Sequence, residues 1–311
     1  MGAALGLVQL LALGAVIFVA AMIVHTVRSL TRPPRRTYAW ALSRNVPGDP
    51  GELDTPLAFE PFAFRGRRHD LQAWRIEGLD PAGPRVALVH GWGSSRIGAL
   101  VRIPALARLS REILVCDLEG HGESPGTSRM GTSEHEDIRA MLTSAGAGAP
   151  TLLYGWSMGA GVALRTARDF GQELGIAGVI AESPYVHAVT PARNVIRLQG
   201  HPVALNLAPA MAWIGLRLGI GPRWRGFARD AIARGLSCPV LVIHGADDPV
   251  CPIGDGRSIA DAAPDGTLAV IDGAGHNNLW TDPALRERCT EAVGGFVRGR
   301  VYADAGSAPI A

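Results

Sequence analysis

Lysine is absent from this sequence: all 30 basic residues are arginine, which is the expected effect of codon bias in a GC-rich genome. The chain also lacks a run of basic residues interleaved with aromatic ones, and its formal net charge is only +2. Domains that bind nucleic acid carry basic patches, because contacts to the phosphate backbone supply much of their affinity. The composition therefore gives no indication of a nucleic-acid partner.

Closely spaced cysteines are absent too. The four cysteines include no C-x-x-C pair, so their spacing does not predict a zinc site. Cys238 and Cys251 flank a predicted strand at 239–244, whose ends lie roughly 20 Å apart, which is too far for a disulfide. Reduced thiols are typical of a cytoplasmic domain. The full set is Cys116, Cys238, Cys251 and Cys289.

The first part of the chain has almost no charge. No Asp, Glu, Lys or Arg occurs from Gly2 to Val27, and about 20 apolar residues suffice to cross the hydrocarbon core of a bilayer. A signal peptide would need a basic N-terminal region and a shorter apolar run. We therefore expect residues 1–30 to be a single-pass membrane anchor. The arginines that follow it predict that the rest of the chain is cytoplasmic: Arg28, Arg32, Arg35 and Arg36.

The remaining sequence has the pattern of one α/β domain at 57–299, between a predicted linker at 31–56 and a C-terminal tail at 300–311. Two alternating stretches, 57–65 and 71–78, predict an antiparallel pair. Short apolar runs then alternate with helix-like stretches, as in parallel sheets covered on both faces. Ser133 and Glu136 predict a capping box at one helix start. Strands are predicted at 85–90, 112–117, 151–154, 176–181, 239–244 and 267–272, and helices at 103–110, 133–145, 157–170, 254–263 and 283–299.

The alternation breaks between about residues 185 and 236, which we call the insertion. Connections in compact α/β units are usually only a few residues long, so a stretch of this length predicts a lid or a cap. Its apolar run at 210–216, with Trp213 and Trp224, is compatible with a lid that faces the membrane and admits lipid-like esters. An ordinary helical cap with solvated arginines is the alternative. The insertion carries six arginines before its first acid, Asp230: Arg193, Arg197, Arg217, Arg223, Arg225 and Arg229.

Two G-x-S-x-G patterns occur in the chain, at 155–159 and 122–126. In a nucleophile elbow the serine occupies a sharp turn between a strand and a helix, and the next residue donates its backbone N–H to an oxyanion. Pro125 has no N–H, which excludes Ser124. Met158 can donate, and an apolar run at 151–154 precedes its motif. Ser157 is therefore the candidate nucleophile.

A glycine-rich loop follows the first predicted parallel strand, at the edge where open α/β sheets place their sites. It reads His90-Gly91-Trp92-Gly93. Its glycines would let the Trp92 backbone N–H face an oxyanion beside that of Met158. We expect the His90 side chain to be structural.

Two later loops carry the candidate acid and base. Either Asp247 or Asp248, which follow a strand in the run His244-Gly-Ala-Asp-Asp248, would orient an imidazolium. Glu182, at the end of another strand, is the alternative acid. His276 follows the last strand in a loop without apolar periodicity, so we interpret it as the general base. The chain order Ser, Asp, His is the order that this type of elbow requires.

With these motifs, the segment from about 57 to 299 resembles the α/β-hydrolase superfamily, most closely its lysophospholipase-like and serine-aminopeptidase-like esterase branch. The resemblance implies a mostly parallel sheet flanked by helices, with a helical lid and an N-terminal transmembrane helix. It places the acid at Asp248 and makes Asp247 a loop residue. Residues 117–122 then form a structural turn, so His121 and Ser124 take no part in catalysis. No metal or organic cofactor is implied.

The implied function is cleavage of carboxylic esters, either lipid-like or acyl esters or thioesters, through an acyl-enzyme on Ser157. His276 would remove the serine proton, and the N–H groups of Trp92 and Met158 would stabilise the oxyanion. Acyltransferases, carbon–carbon bond hydrolases, cofactor-free haloperoxidases and peptidases use the same triad. A membrane-tethered binding protein without turnover is an alternative of another class. Labelling by a fluorophosphonate separates it from an enzyme, because only an activated serine reacts fast.

Overall fold

The computed structural model describes residues 2–146 and 150–301, so most of the predicted tail at 300–311 lies outside the described residues. Helix α1 (Gly2–Thr31) opens the chain. Its stretch Ala4–Thr31 is long and apolar enough to cross a membrane, with a mean hydropathy of 2.7, and it is the one such helix in the described part of the chain. The most apolar 18-residue stretch of this helix is not buried against the rest of the protein.

Eight strands form one sheet: β1 (Phe59–Arg65), β2 (Asp70–Glu77), β3 (Arg85–Val89), β4 (Glu112–Cys116), β5 (Thr151–Trp156), β6 (Ile176–Glu182), β7 (Val240–Gly245) and β8 (Gly266–Ile271). Their order is β1-β2-β4-β3-β5-β6-β7-β8. β1 and β2 pair antiparallel, with Phe59 opposite Ile76, which confirms the predicted opening pair. β2 is also antiparallel to β4, and the remaining neighbours are parallel.

Helices cover both faces of this sheet. The helices after α1 are α2 (Tyr38–Arg44), α3 (Arg96–Ala99), α4 (Ile103–Ala107), α5 (Glu134–Ser144), α6 (Met158–Phe170), α7 (Val189–Leu198), α8 (Leu207–Arg217), α9 (Arg229–Ala233), α10 (Ile253–Ala262) and α11 (Pro283–Phe296). β3 is buried along its whole length, because alternate side chains pack on opposite layers. Val86 and Leu88 join the apolar cluster that contains α4 and α11. Ala87 and Val89 join the cluster that contains α5 and α6.

The predicted capping box at the start of α5 is wrong. The Ser133 hydroxyl makes no cap and instead accepts a hydrogen bond from Arg129 Nε at 2.9 Å. The buried Glu134 carboxylate takes up the loop N–H groups, accepting from Gly131 at 3.1 Å and from Ser133 at 3.1 Å. A carboxylate can accept several N–H groups at once, so it competes well with a hydroxyl for this place.

The stretch 31–56, which we predicted to be a linker, contains regular structure. It forms α2 and a 3₁₀ turn at Pro50–Glu52, and Ala41 is buried against the domain. Trp40 and Leu53 pack on the same core. These apolar residues are too few and too widely spaced to give a periodic signal. The surrounding Pro, Gly and Arg residues therefore led to the prediction of a linker.

The insertion between β6 and β7 consists of α7, α8 and α9. A small apolar cluster under these helices combines Ile196 and Met211 with Leu30 from the end of α1. α8 packs against α1, and Asn206 Nδ2 donates to Thr26 Oγ at 2.8 Å. The last turns of the apolar helix therefore belong to the folded domain, and only its earlier turns project from it.

Candidate active site

The candidate nucleophile occupies the sharp turn between β5 and α6. Ser157 has φ 54° and ψ −115°, backbone angles that are strained for a residue other than glycine. Gly155 and Gly159 permit this turn. A Cβ on Gly155 would lie 2.2 Å from the carbonyl oxygen of Gly159, and one on Gly159 would lie 2.1 Å from that of Val89. The motif thus has glycine at each point where two backbones cross.

The structure brings Ser157, Asp248 and His276 together at the carboxyl edge of the sheet. His276 Nε2 lies 3.1 Å from Ser157 Oγ. His276 Nδ1 lies 2.7 Å from Asp248 Oδ2. A continuous hydrogen-bonded chain therefore runs from the hydroxyl to a buried carboxylate, with the imidazole between them. In this arrangement the imidazole can accept the serine proton while the carboxylate stabilises the resulting positive charge.

Asp248 is held as an ionised carboxylate. Its second oxygen, Oδ1, accepts the backbone N–H groups of Val250 and Cys251, each at 2.8 Å. Burial alone would raise the pKa of Asp248, but the hydrogen bond and charge of His276 and these two N–H groups outweigh burial and lower it. The adjacent Asp247 is exposed, and its side chain forms no hydrogen bond to the described residues.

Glu182, the alternative acid, has other partners. Its buried carboxylate accepts from Arg102 Nε at 2.8 Å, from the Tyr154 hydroxyl at 2.6 Å and from Trp280 Nε1 at 2.9 Å. Burial alone would lower the pKa of Arg102, because it disfavours the charged guanidinium. The charge and hydrogen bonds of Glu182 outweigh burial, so the pKa of Arg102 lies above its ordinary value. Glu182 is thus the centre of a polar network beneath the site, and its described partners do not include His276.

The other polar residues of the sequence motifs are structural. The buried His90 bonds through Nδ1 to the Gly91 carbonyl at 2.8 Å and accepts the Leu118 N–H at Nε2, and burial lowers its pKa to about 4. The structural role expected for His90 is confirmed. The Ser124 hydroxyl donates to the Asp117 carbonyl at 2.7 Å and accepts the Gln72 N–H at 3.0 Å. Ser124 therefore ties the turn after β4 to the neighbouring β2.

The two residues predicted to donate to an oxyanion border the cavity that contains Ser157. Met158 is the first residue of α6, where backbone N–H groups have no carbonyl partner within the helix. The Trp92 loop lies directly on the elbow, because a Cβ on Gly91 would lie only 2.9 Å from Trp156 Nε1. The Trp92 side chain is fixed from the opposite direction, since its Nε1 donates to the Leu30 carbonyl at 2.8 Å.

Cys251 lies beside the triad, a position that the sequence analysis did not predict. Its Sγ, an oxygen of Asp248 and a ring nitrogen of His276 lie within 4.8 Å of one another, a spacing that a metal ion could bridge. Burial raises the pKa of the Cys251 thiol well above its ordinary value. The thiol therefore stays protonated, whereas metals bind the thiolate. Asp248 and His276 are also already bonded to each other, so this donor set does not suit a metal.

The sequence analysis grouped Arg229 with the other arginines of the insertion. In the structure, however, Arg229 is buried under the elbow. One of its guanidinium nitrogens donates to the Ser157 carbonyl at 3.3 Å, and another donates to the Tyr185 hydroxyl at 3.1 Å. Its guanidinium also lies 3.8 Å from the centre of the Tyr185 ring. An arginine in a run of charged residues gives no sign of burial, so the sequence could not distinguish it from the five exposed arginines that precede it in the insertion.

The site opens into a cavity of about 1490 Å³, larger than most sites for drug-sized ligands. Ser157 and His276 lie on its wall. Much of the wall is apolar and comes from four sources: the end of α1, the segment after it, the insertion and the loops at the sheet edge. These apolar residues include Leu30, Trp40, Leu53, Ile97, Leu100, Met130, Trp156, Tyr185, Val195, Val250 and Trp280.

Comparison with known proteins agrees with this geometry. A model of the alpha/beta hydrolase family matches residues 86–287. A pimeloyl-[acyl-carrier protein] methyl ester esterase of Chromobacterium violaceum is 26% identical over 228 residues, which are 62% of this chain and 87% of that protein. The lysophosphatidylserine lipase ABHD12 of Rattus norvegicus is 28% identical over 199 residues, 62% of this chain. This chain spans only 48% of that lipase's length.

Solved structures show the same fold. An esterase of Pyrococcus furiosus superimposes with a TM-score of 0.67 at 18% identity, over 88% of this chain and 99% of its own. An esterase of Rhodococcus sp. ECU1013 gives a TM-score of 0.58 at 20% identity, over 77% of this chain and 99% of its own. The family match, which covers most of the chain, and the esterase and lipase relatives lead to one conclusion: the chain belongs to the alpha/beta hydrolase family and is a serine hydrolase that acts on esters.

Proposed function

We propose that the protein cleaves a lipid-like carboxylic ester through an acyl-enzyme on Ser157. The observation that carries this proposal is the hydrogen-bonded chain from Ser157 Oγ through His276 to Asp248, built on a strained elbow. Enzymes hold serine in such a turn because it exposes the hydroxyl beside two free N–H groups. The remaining parts of the mechanism follow from the positions of these groups.

In the first half of the reaction, His276 Nε2 accepts the Ser157 proton while Oγ attacks the ester carbonyl. The N–H groups of Trp92 and Met158 donate to the developing oxyanion, and Asp248 stabilises the imidazolium. The imidazolium then protonates the departing alkoxide, which leaves the acyl group on Ser157. In the second half His276 deprotonates a water molecule, which attacks the acyl-enzyme, and the proton returns to Ser157 as the acid departs.

The cavity supports a substrate with a long apolar part. Its volume of about 1490 Å³ and its apolar wall suit an acyl chain better than a small ester. Leu30, at the end of the apolar helix α1, forms part of that wall, so a chain leaving the bilayer has a short path to Ser157. The relatives' names point the same way, since one acts on a lysophospholipid and another on an ester of an acyl carrier protein.

Replacing the nucleophile tests the catalytic proposal. Ser157→Ala should lower kcat by about 10⁶-fold and abolish fluorophosphonate labelling. Ser124→Ala is the matched control, because the same hydroxyl loss falls on a buried structural serine. It should keep labelling and most activity per folded molecule. A panel of esters with increasing acyl length identifies the substrate class. Equal loss of labelling in both variants, with folding intact, would remove Ser157 as the nucleophile.

We further propose that α1 spans a membrane and leaves the domain on the cytoplasmic side. Arg28 and Arg32 support this orientation, because they are exposed at the cytoplasmic end of the proposed span. Arg35 follows on the same side, where its guanidinium donates to the Ser124 carbonyl at 2.7 Å and keeps its charge. External protease should leave the domain intact in spheroplasts and digest it after lysis. Digestion before lysis would reverse the orientation, and a shortened soluble protein would reveal a cleaved signal.

A further inference from the structure

A second cavity, of about 630 Å³, lies between the end of α1, helix α8 and the loop 127–129. We call it the α1–α8 groove. It shares no lining residue with the active-site cavity, although the two are adjacent along the chain. Leu30 lines the active-site cavity, whereas the next residue, Thr31, lines the groove. Likewise, Met130 lines the active-site cavity, whereas Arg129 lines the groove. The proposed reaction uses none of the groove's residues.

The groove concentrates positive charge on its wall. Five arginines line it and no carboxylate does. None of the five forms an ion pair with a described residue, so no carboxylate in the described part of the chain holds them in place. Like charges that converge repel each other unless an anion lies between them, and arginine is well suited to bind phosphate in two-point contact. The five are Arg28, Arg32, Arg68, Arg129 and Arg217.

The groove also has apolar lining residues, on α1 and α8. Ile23 and Val24 line it about one helical turn before Arg28, on the part of α1 that we propose to be in the membrane. Trp213 of α8 also lines it and is 54% exposed, and tryptophan favours the membrane–water interface. The arginines therefore stand at headgroup level and the apolar side chains at the level of the first acyl carbons.

We propose that the α1–α8 groove binds an anionic phospholipid of the surrounding bilayer, with the phosphate among the arginines and an acyl chain along Ile23, Val24 and Trp213. This inference rests on the proposed membrane span of α1. It goes beyond the proposed reaction, because the bound lipid is a ligand and not the substrate. Its place beside Leu30 and Met130 holds the mouth of the active-site cavity at the headgroup plane.

The groove is mechanically connected to the elbow. The Ser128 N–H donates to the Thr31 carbonyl at 3.0 Å, which ties the loop 127–129 to the end of α1. The Ser128 hydroxyl also lies 3.9 Å from Met158 Sδ, beside the candidate oxyanion donor. A lipid that fixes the arginines of α1 and of this loop therefore also fixes the wall next to Ser157.

Quenching of Trp213 by brominated lipid tests the site on the full chain. The protein is incorporated into phosphatidylcholine nanodiscs that contain a small fraction of brominated phosphatidylglycerol or, separately, of brominated phosphatidylcholine. We expect the phosphatidylglycerol to quench at a lower fraction. The difference should disappear in Trp213→Phe, which identifies the reporting ring among the tryptophans. Circular dichroism confirms that each variant is folded.

Paired arginine variants make the test specific. Arg68→Gln with Arg217→Gln should weaken the phosphatidylglycerol preference roughly fivefold for each arginine removed. Arg223→Gln with Arg225→Gln removes the same charge from exposed positions of the insertion outside the groove and should leave the preference unchanged. Equal weakening in both pairs would mean diffuse attraction to the bilayer and would overturn the site.

The remaining outcomes separate this inference from the proposals on which it rests. If inorganic phosphate removed the preference at matched ionic strength, the groove would take a soluble anion and the lipid assignment would fall. A chain that enters nanodiscs without any lipid preference would overturn the groove alone. A chain that stays outside nanodiscs would overturn the membrane span and the groove together. Fluorophosphonate labelling of Ser157 is independent of all three results.

Discussion

At the residue scale, two adjacent carboxylates of the site differ in their surroundings. Asp248 Oδ2 lies 2.7 Å from His276 Nδ1, whereas Asp247 is exposed and makes no such contact. Asp248→Asn should therefore lower kcat about 10⁴-fold, because the amide no longer stabilises an imidazolium or holds the productive tautomer. Steady-state kinetics on a soluble acyl ester measures the effect.

Asp247→Asn is the matched control for this prediction. It makes the same chemical change one residue away, where no imidazole is in reach, and should change kcat less than about threefold. A larger loss for Asp247→Asn than for Asp248→Asn would show that the acid had been assigned to the wrong residue of the loop.

The carboxyl group of Asp137, on α5, should make the free energy of unfolding depend on pH. Burial raises its pKa from 3.8 to about 7, against the effect of the Arg67 N–H that it accepts at 2.6 Å. The folded state thus binds this proton more tightly than the unfolded chain does. The resulting stabilisation is complete below pH 3.8 and is lost as the pH rises to about 7. Asp137→Asn should therefore gain in Tm relative to the wild type between pH 4 and pH 7.

Thermal unfolding of the two proteins across this pH range tests the prediction. Asp261→Asn, at an exposed position of α10, serves as control and should track the wild type at every pH. A constant difference between Asp137→Asn and the wild type would mean that Asp137 is ionised throughout.

At the scale of elements, the tight crossing of β5 and α6 depends on glycine. Gly155→Ala would place a Cβ 2.2 Å from the Gly159 carbonyl oxygen, so the elbow backbone must shift. We expect a loss of about 3 kcal/mol in the free energy of unfolding and severe loss of activity, because Ser157 moves with the backbone. Denaturant unfolding and ester hydrolysis measure the two effects.

Gly295 in α11 provides the opposite case. Nothing lies within 4 Å of a Cβ built there, so Gly295→Ala should raise the free energy of unfolding by about 0.5–1 kcal/mol through helix propensity. If both alanine variants were equally destabilised, glycine flexibility rather than the backbone crossing would explain the effect at Gly155.

At the scale of the whole molecule, the apolar helix has two functions along its length. Residues 4–21 are almost all exposed, whereas Thr26 and Leu30 are buried against the domain. Deleting residues 1–20 should leave Tm unchanged in detergent. Deleting residues 1–32 removes Leu30 and the partners of Asn206 and Trp92, and should lower Tm by about 5–10 °C.

Thermal unfolding of both truncated proteins in the same detergent checks this difference. The long deletion should also weaken binding of long-chain esters, because Leu30 lines the active-site cavity. Identical Tm values for the two deletions would mean that the docking of α1 contributes nothing to stability.

The sequence determined the features that depend on residues close together in the chain. Apolar runs predicted the six strands from β3 to β8, because a strand buried on both faces needs apolar residues in succession, and alternation predicted β1 and β2. The elbow around Ser157 is defined within five residues, so its glycines and the N–H of Met158 could be read directly. The order of serine, aspartate and histidine was predictable because each follows a strand of the same sheet.

Tertiary structure decided what depends on residues far apart. The sequence alone left Asp247 and Asp248 as alternatives, and the distance to His276 separates them. The docking of α1 on α8, the ordered stretch 31–56 and the burial of Arg229 had no local signal. Hydrophobic burial has no direction and no fixed sequence spacing, so an isolated Leu30, Trp40 or arginine stem can pack anywhere that the completed fold offers a surface. Only the folded chain fixes where that surface lies.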